Sequence, residues 1–238
     1  MFGLDFTWLL DPTYQGWLVE GVWITLQLAA VSSLAALVIG LFGALGLTLK
    51  LWWLDALIEL FVEVFRNTPP LLQMLFFYFT LTQLGFTVED PVTGLQQPLF
   101  NAFFSASVSL SLFGGALCVE AFRSGLDAVP KATLEAARSL GYGRWALFRR
   151  VQAPIATRIC LPGLTNVLTN LFKTTSQASV ITVPELMYAA GQVYNDTFRT
   201  LEMMLLVLVI YVALVSLLSW ALLRLERLFA YPGYGQGV

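Results

Sequence analysis

The sequence predicts an all-α membrane protein with five transmembrane helices, and three observations support that fold class. Of the 238 residues, 58% are hydrophobic and 12% are charged, with a mean hydropathy of +0.74. This apolar share exceeds that of an ordinary soluble domain. Five apolar runs each supply the ~20 residues needed to cross a hydrocarbon core. Positive charges gather on one side of these runs, as membrane insertion requires.

The five predicted spans cover residues 21–47, 53–83, 99–121, 159–181 and 203–225. The second span carries charges only near its start, so its first turns are expected at the membrane interface. A loop over 122–158 separates the third span from the fourth. Because the sequence shows neither an internal repeat nor a low-complexity stretch, we expect a single transmembrane domain over 1–238.

The cations predict the orientation of the chain. Arg199 lies alone on one side of the five spans, Lys173 falls within a span, and the remaining cations lie on or near the other side. The positive-inside rule places that second group in the cytoplasm, the N-terminus outside and the C-terminus inside. The cytoplasmic group comprises Lys50, Arg66, Arg123, Lys131, Arg138, Arg144, Arg149, Arg150, Arg158, Arg224 and Arg227.

Composition argues against several classes of function. A net charge of -2 disfavours nucleic-acid binding, which needs a basic face. The chain contains no histidine, so the usual general base and the commonest metal ligand are missing. Cys118 and Cys160 stand in separate apolar runs without metal-ligand spacing and are expected to be small core residues. The sequence therefore predicts neither an enzyme nor a metal site.

The loop over 122–158 has the pattern of a short helix–turn–helix lying along the membrane surface. Pro130 suits a first helical turn, where its missing N–H costs nothing. Gly141 can adopt a left-handed backbone and end the first helix, so that a second begins near Arg144. The first helix should have one apolar face, formed by Leu134, Ala137 and Leu140.

Small and charged residues on the first helix suggest that a partner docks there. Ala136 and Ala137 leave room for close approach, and Glu135 can pair with Arg138 or with a cation on a partner. An ordinary amphipathic helix, with basic residues facing lipid headgroups, would explain the same composition.

The spacing of this loop carries a specific resemblance. Glu135-Ala136-Ala137 is followed at the expected intervals by Gly141 and by 151–154, Val-x-Ala-Pro. The segment resembles the Glu-Ala-Ala loop of ABC-importer permeases, with Val and Ala in place of Ile and Leu. The resemblance implies that 131–147 forms coupling helices seated on an ATP-hydrolysing subunit. The implied coupling residues are Lys131, Leu134, Glu135, Ala136, Ala137, Leu140 and Gly141.

Further motifs narrow the resemblance to polar amino-acid permeases of the histidine and polar amino-acid family. Residues 62–73 resemble the family's Glu-x-x-Arg-x-Thr-Pro-Leu-Leu-x-Gln motif, and 173–176 resembles its Lys-x-Thr-Ser stretch. The Phe-Arg-Asn-Thr-Pro run points to the glutamate/aspartate branch. Departures occur at Pro70, at 132–133 and at Gln177. These affect chain stiffness, the fit to an ATPase and substrate preference, respectively.

The resemblance implies a type I ABC-importer permease in the bacterial cytoplasmic (inner) membrane, with a set of partners. It would work with two ABC ATPase subunits, a second permease subunit (identical or paralogous), a solute-binding protein and an amino-acid substrate, within membrane lipid and without nucleic acid. The chain has no GxxxxGK[ST] phosphate loop, so ATP and Mg would be used by the partner ATPase and no cofactor would be bound here.

The fourth span carries a polar stripe that is a candidate substrate contact. Asn166, Asn170, Lys173 and Gln177 recur on one helical face. Such a stripe should face a cavity or another helix rather than lipid. Amide groups and a lysine suit the ammonium and carboxylate of an amino acid, although hydrogen bonding across a subunit interface would need the same residues. The candidate pathway residues are Asn166, Asn170, Lys173, Thr174, Thr175, Ser176 and Gln177.

Two pairs of charges near the inner membrane boundary are expected to be structural. Glu63 lies three residues before Arg66, and Glu120 three before Arg123, so each pair can neutralise itself locally. The run 67–70, Asn-Thr-Pro-Pro, either breaks a helix near the pathway or follows a simple helix start.

Two rival functions remain. An ion-coupled transporter or channel working without an ATPase would need membrane-embedded acids, and the five spans offer none at mid-span. A membrane enzyme would need a nucleophile–base or metal constellation, which this sequence lacks.

Overall fold

The computed structural model describes residues 4–89, 94 and 96–229. Within them the chain is almost entirely helical, with a small antiparallel hairpin of β1 (Thr87–Glu89) and β2 (Gln96–Pro98). Short 3₁₀ helices cover Thr7–Leu10 and Thr175–Ile181, and a π-helical turn covers Phe148–Gln152. The α-helices are α1 Pro12–Thr48, α2 Trp52–Asn67, α3 Pro70–Gln83, α4 Ala102–Asp127, α5 Lys131–Ser139, α6 Arg144–Leu147, α7 Ala153–Thr174, α8 Leu186–Thr197 and α9 Thr200–Phe229.

Three of the described helices are long and apolar enough to cross a membrane unbroken. They are α1, α4 and the segment Thr200–Leu228 of α9. The other two predicted spans are interrupted: 53–83 is divided between α2 and α3, and 159–181 between α7 and a 3₁₀ helix. Of the five predicted spans, three therefore correspond to unbroken apolar helices, and two correspond to segments that are each divided between two helices. Broken helices at membrane depth are typical of transport sites.

The break between α2 and α3 has a specific chemical cause. Pro70 opens α3 at a position where no backbone donor is needed, and it prevents continuation from α2. The freed carbonyls of Phe65 and Thr68 accept hydrogen bonds from Nε2 of Gln73 at 2.8 and 3.0 Å. The same nitrogen donates to Oγ1 of Thr68 at 2.6 Å. Residues 67–70 thus form a true bend, in which the freed carbonyls of Phe65 and Thr68 have a donor inside the protein, whereas Oε1 of Gln73 has no partner among the described residues.

Helix α4 forms the centre of the molecule and contacts α1, α2, α3 and α7. Its buried face consists largely of serine, glycine and alanine, which let neighbouring helices approach closely. Opposite it on α1, a Cβ added to Gly40 would lie 2.2 Å from Cβ of Cys118. Both cysteines are free and buried in this core, as the sequence predicts.

Candidate coupling loop and substrate pathway

The loop after α4 folds as the helix–turn–helix that the sequence predicts. Helix α5 begins after Pro130, whose carbonyl accepts from the N–H groups of Thr133 and Leu134; the proline is the N-cap rather than a first-turn residue. Gly141 ends the helix with φ of +87°, and its N–H donates to the carbonyl of Arg138 at 2.9 Å. Only glycine adopts this left-handed backbone without strain.

Apolar side chains at the tip of the loop remain exposed. Ala137 is buried, as expected for the inner face of α5, but Leu140 is 78% exposed and Trp145 is 71% exposed. The Trp145 ring stacks on Phe148, with centroids 5.9 Å apart, so it is held in place on the surface. Leu134, Ala137 and Leu140 were predicted to share one apolar face, but Leu140, unlike Ala137, does not pack against the rest of the chain. Exposed leucine and tryptophan on a basic loop form a surface suited to a protein partner.

The charged face of α5 borders a large cavity rather than the helices of the membrane body. Lys131, Glu135 and Arg138 line a space of about 820 Å³, together with Lys50 from the α1–α2 turn and residues of α2 and α4. Among the described ion pairs, Glu135 takes part in none, so the expected pair with Arg138 is not formed. The carboxylate is exposed and available to a partner.

Three members of the predicted polar stripe lie together on an uncovered face of α7. Asn166, Asn170 and Lys173 are all exposed in the single chain, which means that its own helices do not cover them. Polar side chains at membrane depth avoid lipid, so this face requires water or another protein surface beside it.

The remaining pathway candidates do not follow the stripe. The chain switches to a 3₁₀ helix after Thr174, which adds roughly 60° of rotation over three residues and turns Gln177 away from Lys173. Gln177 is half-buried, and no hydrogen-bond partner of its Oε1 occurs within the described chain. The hydroxyls of the three preceding residues donate to backbone carbonyls of their own helix; these residues are Thr174, Thr175 and Ser176.

The inner charges pair between helices rather than within them. Arg66 of α2 forms an ion pair with Glu120 of α4, and Arg123 of α4 lies 3.5 Å from the carboxylate of Glu59 on α2. Arg123 also lies 3.9 Å from Asp127, one turn further along α4. The expected Glu63–Arg66 and Glu120–Arg123 pairs are therefore corrected. Local spacing identified the charged residues, but the proximity of α2 and α4 decides their partners.

One buried carboxylate was missed because the sequence places it between spans. Glu185 is fully buried and accepts hydrogen bonds from the backbone N–H of Tyr188 at 2.9 Å and the hydroxyl of Tyr211 at 2.8 Å. It also lies 3.5 Å from the Thr25 hydroxyl, so it joins α1, α8 and α9. Its position as N-cap of α8, after Pro184, was the available signal.

The exceptional cation, Arg199, is neutralised by its neighbours. Its guanidinium lies 2.6 Å from the carboxylate of Asp5 and 3.8 Å from that of Glu202. Hydrogen bonds from the hydroxyl and the backbone N–H of Thr7, together with the charge of Arg199, lower the pKa of Asp5. The pair fastens the N-terminal segment to the start of α9, at the end of the molecule remote from α5.

Comparisons with known proteins agree with this geometry. Residues 36–231 match the family described as binding-protein-dependent transport system inner membrane component. The chain is 34% identical over 212 residues to the octopine transport system permease protein OccM of Rhizobium radiobacter, covering 86% of this chain and 85% of that protein. It is 32% identical over 210 residues to the glutamine transport system permease protein GlnP of Escherichia coli strain K12, covering 88% and 91%.

Solved structures have the same fold. The crystal structure of an amino acid ABC transporter with histidines superposes with a TM-score of 0.83 at 28% identity, over 95% of this chain and 99% of that one. The MetNI methionine ABC transporter has a TM-score of 0.71 at 21% identity, over 93% and 100%, and it supports the fold alone. The expected resemblance to ABC-importer permeases is confirmed. The chain belongs to the binding-protein-dependent transport system inner membrane components and is a multi-pass protein of the inner membrane.

Proposed function

We propose that this chain is the membrane-spanning subunit of an ATP-driven importer that translocates polar amino acids delivered by a solute-binding protein. The observation that carries the proposal is α5, a short helix outside the long spans whose apolar tip and unpaired Glu135 are both exposed. Because this sequence contains no phosphate loop, ATP would be hydrolysed by a separate subunit, and an exposed surface of this kind is suited to docking it.

The partner subunits follow from this surface. Two ATPases would each hold one coupling loop, so two permease subunits are needed, and ATP and Mg would bind only to the ATPases. The exposed polar face of α7 supports a second permease subunit, because it otherwise places Asn166, Asn170 and Lys173 against lipid. The N-terminus would lie outside and the C-terminus inside, with α2–α3 and α7 with its 3₁₀ extension completing five crossings.

The substrate class follows from the chemistry of that face. Two amides and an ammonium can meet the α-carboxylate of any amino acid. Two relatives are named for compounds that carry this group, the amino acid glutamine and the amino-acid derivative octopine. An acidic amino acid would bring a second carboxylate near Lys173. We therefore propose glutamate and aspartate as candidates to be compared directly with glutamine.

Reconstitution tests the function. The chain is placed in proteoliposomes with its ATPase and permease partners, and uptake of radiolabelled glutamate, aspartate and glutamine is measured with a binding protein present. Uptake that requires both ATP and the ATPase supports the proposal. Uptake driven by an ion gradient in vesicles lacking the ATPase would instead establish the ion-coupled alternative, for which the buried Glu185 would be the first residue to examine.

A further inference from the structure

The inner halves of α2 and α4 carry charged residues on facing surfaces. On α2 the four charges recur at helical spacing, and on α4 three charges near its inner end do the same. Two of the ion pairs connect the helices at two levels along α2: an upper level near the break before α3 and a lower level nearer the start of α2. Arg66 meets Glu120 at the upper level, and Glu59 meets Arg123 at the lower level, close to the coupling loop.

The signs of these charges specify one register. At the upper level α2 supplies the cation and α4 the anion, whereas at the lower level the signs are reversed. Sliding α2 outward by one helical turn would bring Glu63 opposite Glu120, and sliding it inward would bring Arg66 opposite Arg123. Either shift places like charges opposite each other at one level, although an outward shift would also bring Asp55 opposite Arg123, so the two pairs form together only in the present register.

Helix α5 is linked to the rest of the chain in two ways: a short connection to α4, and packing on α6 and the π-helical turn that lead into α7. The cavity of about 820 Å³ lies between the charged face of α5 and the inner end of α2, so that face does not press directly on α2. Helix α5 is joined to α4 by three residues, of which Val129 is buried and Pro130 has a fixed backbone angle. A displacement of α5 can therefore be passed to α4 through this stiff connection, as well as to α7 through α6 and the π-helical turn.

Helix α2 is also free to respond. It ends at the Thr68–Pro69–Pro70 break, and beyond this point α3 is a separate helix. The α2 side chains of the two pairs are about half exposed, as are those of α4, and a second cavity of about 350 Å³ runs between the helices beside them.

We propose that Arg66–Glu120 and Glu59–Arg123 form a relay, in which movement of the coupling loop is passed from α4 to α2 and swings α2 about the break before α3. These four are positioning residues, since none of them is assigned to substrate or to ATPase docking. The inference rests on the proposed function, because the movement of α5 is supplied by the ATPase.

Charge exchange at the upper pair tests the relay. Arg66→Glu and Glu120→Arg are each expected to lower amino-acid uptake per ATP hydrolysed by at least about fivefold. The double variant, which restores opposite charges, should recover to within about twofold of the wild type. Co-purification with the ATPase serves as the assembly control. If either reversed variant fails to assemble, Arg66→Gln and Glu120→Gln are used instead, and their double variant should be no worse than either single variant because both changes break the same pair.

A second readout separates a relay from simple stabilisation. Spin labels at Leu57 on α2 and Phe79 on α3, both exposed, report the angle at the break. Their separation should change on ATP binding in the wild type and stay fixed in Arg66→Gln. Unchanged uptake per ATP in the single variants, no recovery in the double variant, or a normal distance change in Arg66→Gln would overturn the relay. Wild-type uptake without ATP would instead defeat the proposed function.

Discussion

Single residues decide whether the irregular backbone of this chain can exist at membrane depth. Gln73 is the clearest case, because one buried amide nitrogen satisfies the two carbonyls freed at the break between α2 and α3. A buried carbonyl without a donor costs about 1–3 kcal/mol. Pro69 and Pro70 create the bend, and Gln73 stabilises it by donating hydrogen bonds to the freed carbonyls.

Removing that amide should destabilise the protein. We expect Gln73→Leu to lower the free energy of unfolding by about 1–3 kcal/mol, because two half-buried carbonyls lose their donor. Thermal unfolding of the purified protein in detergent measures the effect. Gln83→Leu, at the exposed end of α3, is the matched control and should melt like the wild type. Equal melting temperatures for Gln73→Leu and the control would show that Gln73 does not hold the bend.

Residue-scale chemistry also marks the limit of sequence reasoning. Gly141, the helix it ends and the small residues before it could be predicted, because turn chemistry is local. The partners of Arg66 and Arg123 could not, since they depend on how α2 lies against α4. Glu185 looked like a loop residue for the same reason: only the contacts of α8 with α1 and α9 reveal that its carboxylate is buried.

At the scale of elements, the broken helices are the most informative. Hydropathy predicted the spans over 53–83 and 159–181, and the Asn-Thr-Pro-Pro run at 67–70 indicated a break as one of two interpretations. The switch to a 3₁₀ helix after Thr174 was not predicted, because a sliding apolar average does not register a change of helix type. The 3₁₀ turn after Thr174 is the reason that Gln177 leaves the stripe formed by Asn166, Asn170 and Lys173.

The stripe of Asn166, Asn170 and Lys173, which lacks Gln177, provides a prediction that can be tested by uptake. Asn170→Leu and Lys173→Met should each lower uptake at least about tenfold while leaving assembly with the ATPase intact, because each removes a polar contact worth roughly 1.5–3 kcal/mol to a charged ligand. Initial uptake rates in proteoliposomes provide the measurement. Lys173→Arg, which keeps the positive charge, should retain much more activity than Lys173→Met. Wild-type rates for both Asn170→Leu and Lys173→Met would remove the stripe from the pathway.

The coupling helix α5 provides a second prediction at the scale of elements. Gly141→Pro cannot adopt the φ of +87° found here, so the end of α5 and the path to α6 should be disrupted. The variant should insert normally but lose co-purification with the ATPase. Gly143→Ala is the matched control, since its backbone is extended and a Cβ there meets no atom within 4 Å. Normal ATPase binding by Gly141→Pro would show that the geometry of this turn is unimportant for docking.

At the scale of the whole molecule, the uncovered surfaces indicate that this chain works together with other subunits. One polar face of a helix, an apolar tip on a basic loop and a cavity bordered by charges are all left uncovered. Each requires another surface, and the family relationship supplies subunits of the right kind. The membrane permease class, the coupling loop and the polar stripe were predicted from the sequence, whereas the exposed apolar tip at Leu140 and Trp145 and the cavity beside α5 became visible only when the helices were placed together.

The central claim is that α5 lies in the cytoplasm and is held by the ATPase, and a cysteine at Ala136 tests it most directly. Cys118 and Cys160 are buried, so Ala136→Cys should be the reactive thiol in vesicles treated with a membrane-impermeant maleimide. We predict labelling from the cytoplasmic side alone, and protection from labelling when the ATPase is bound. Labelling from the outer side, or equal labelling with and without the ATPase, would contradict the account.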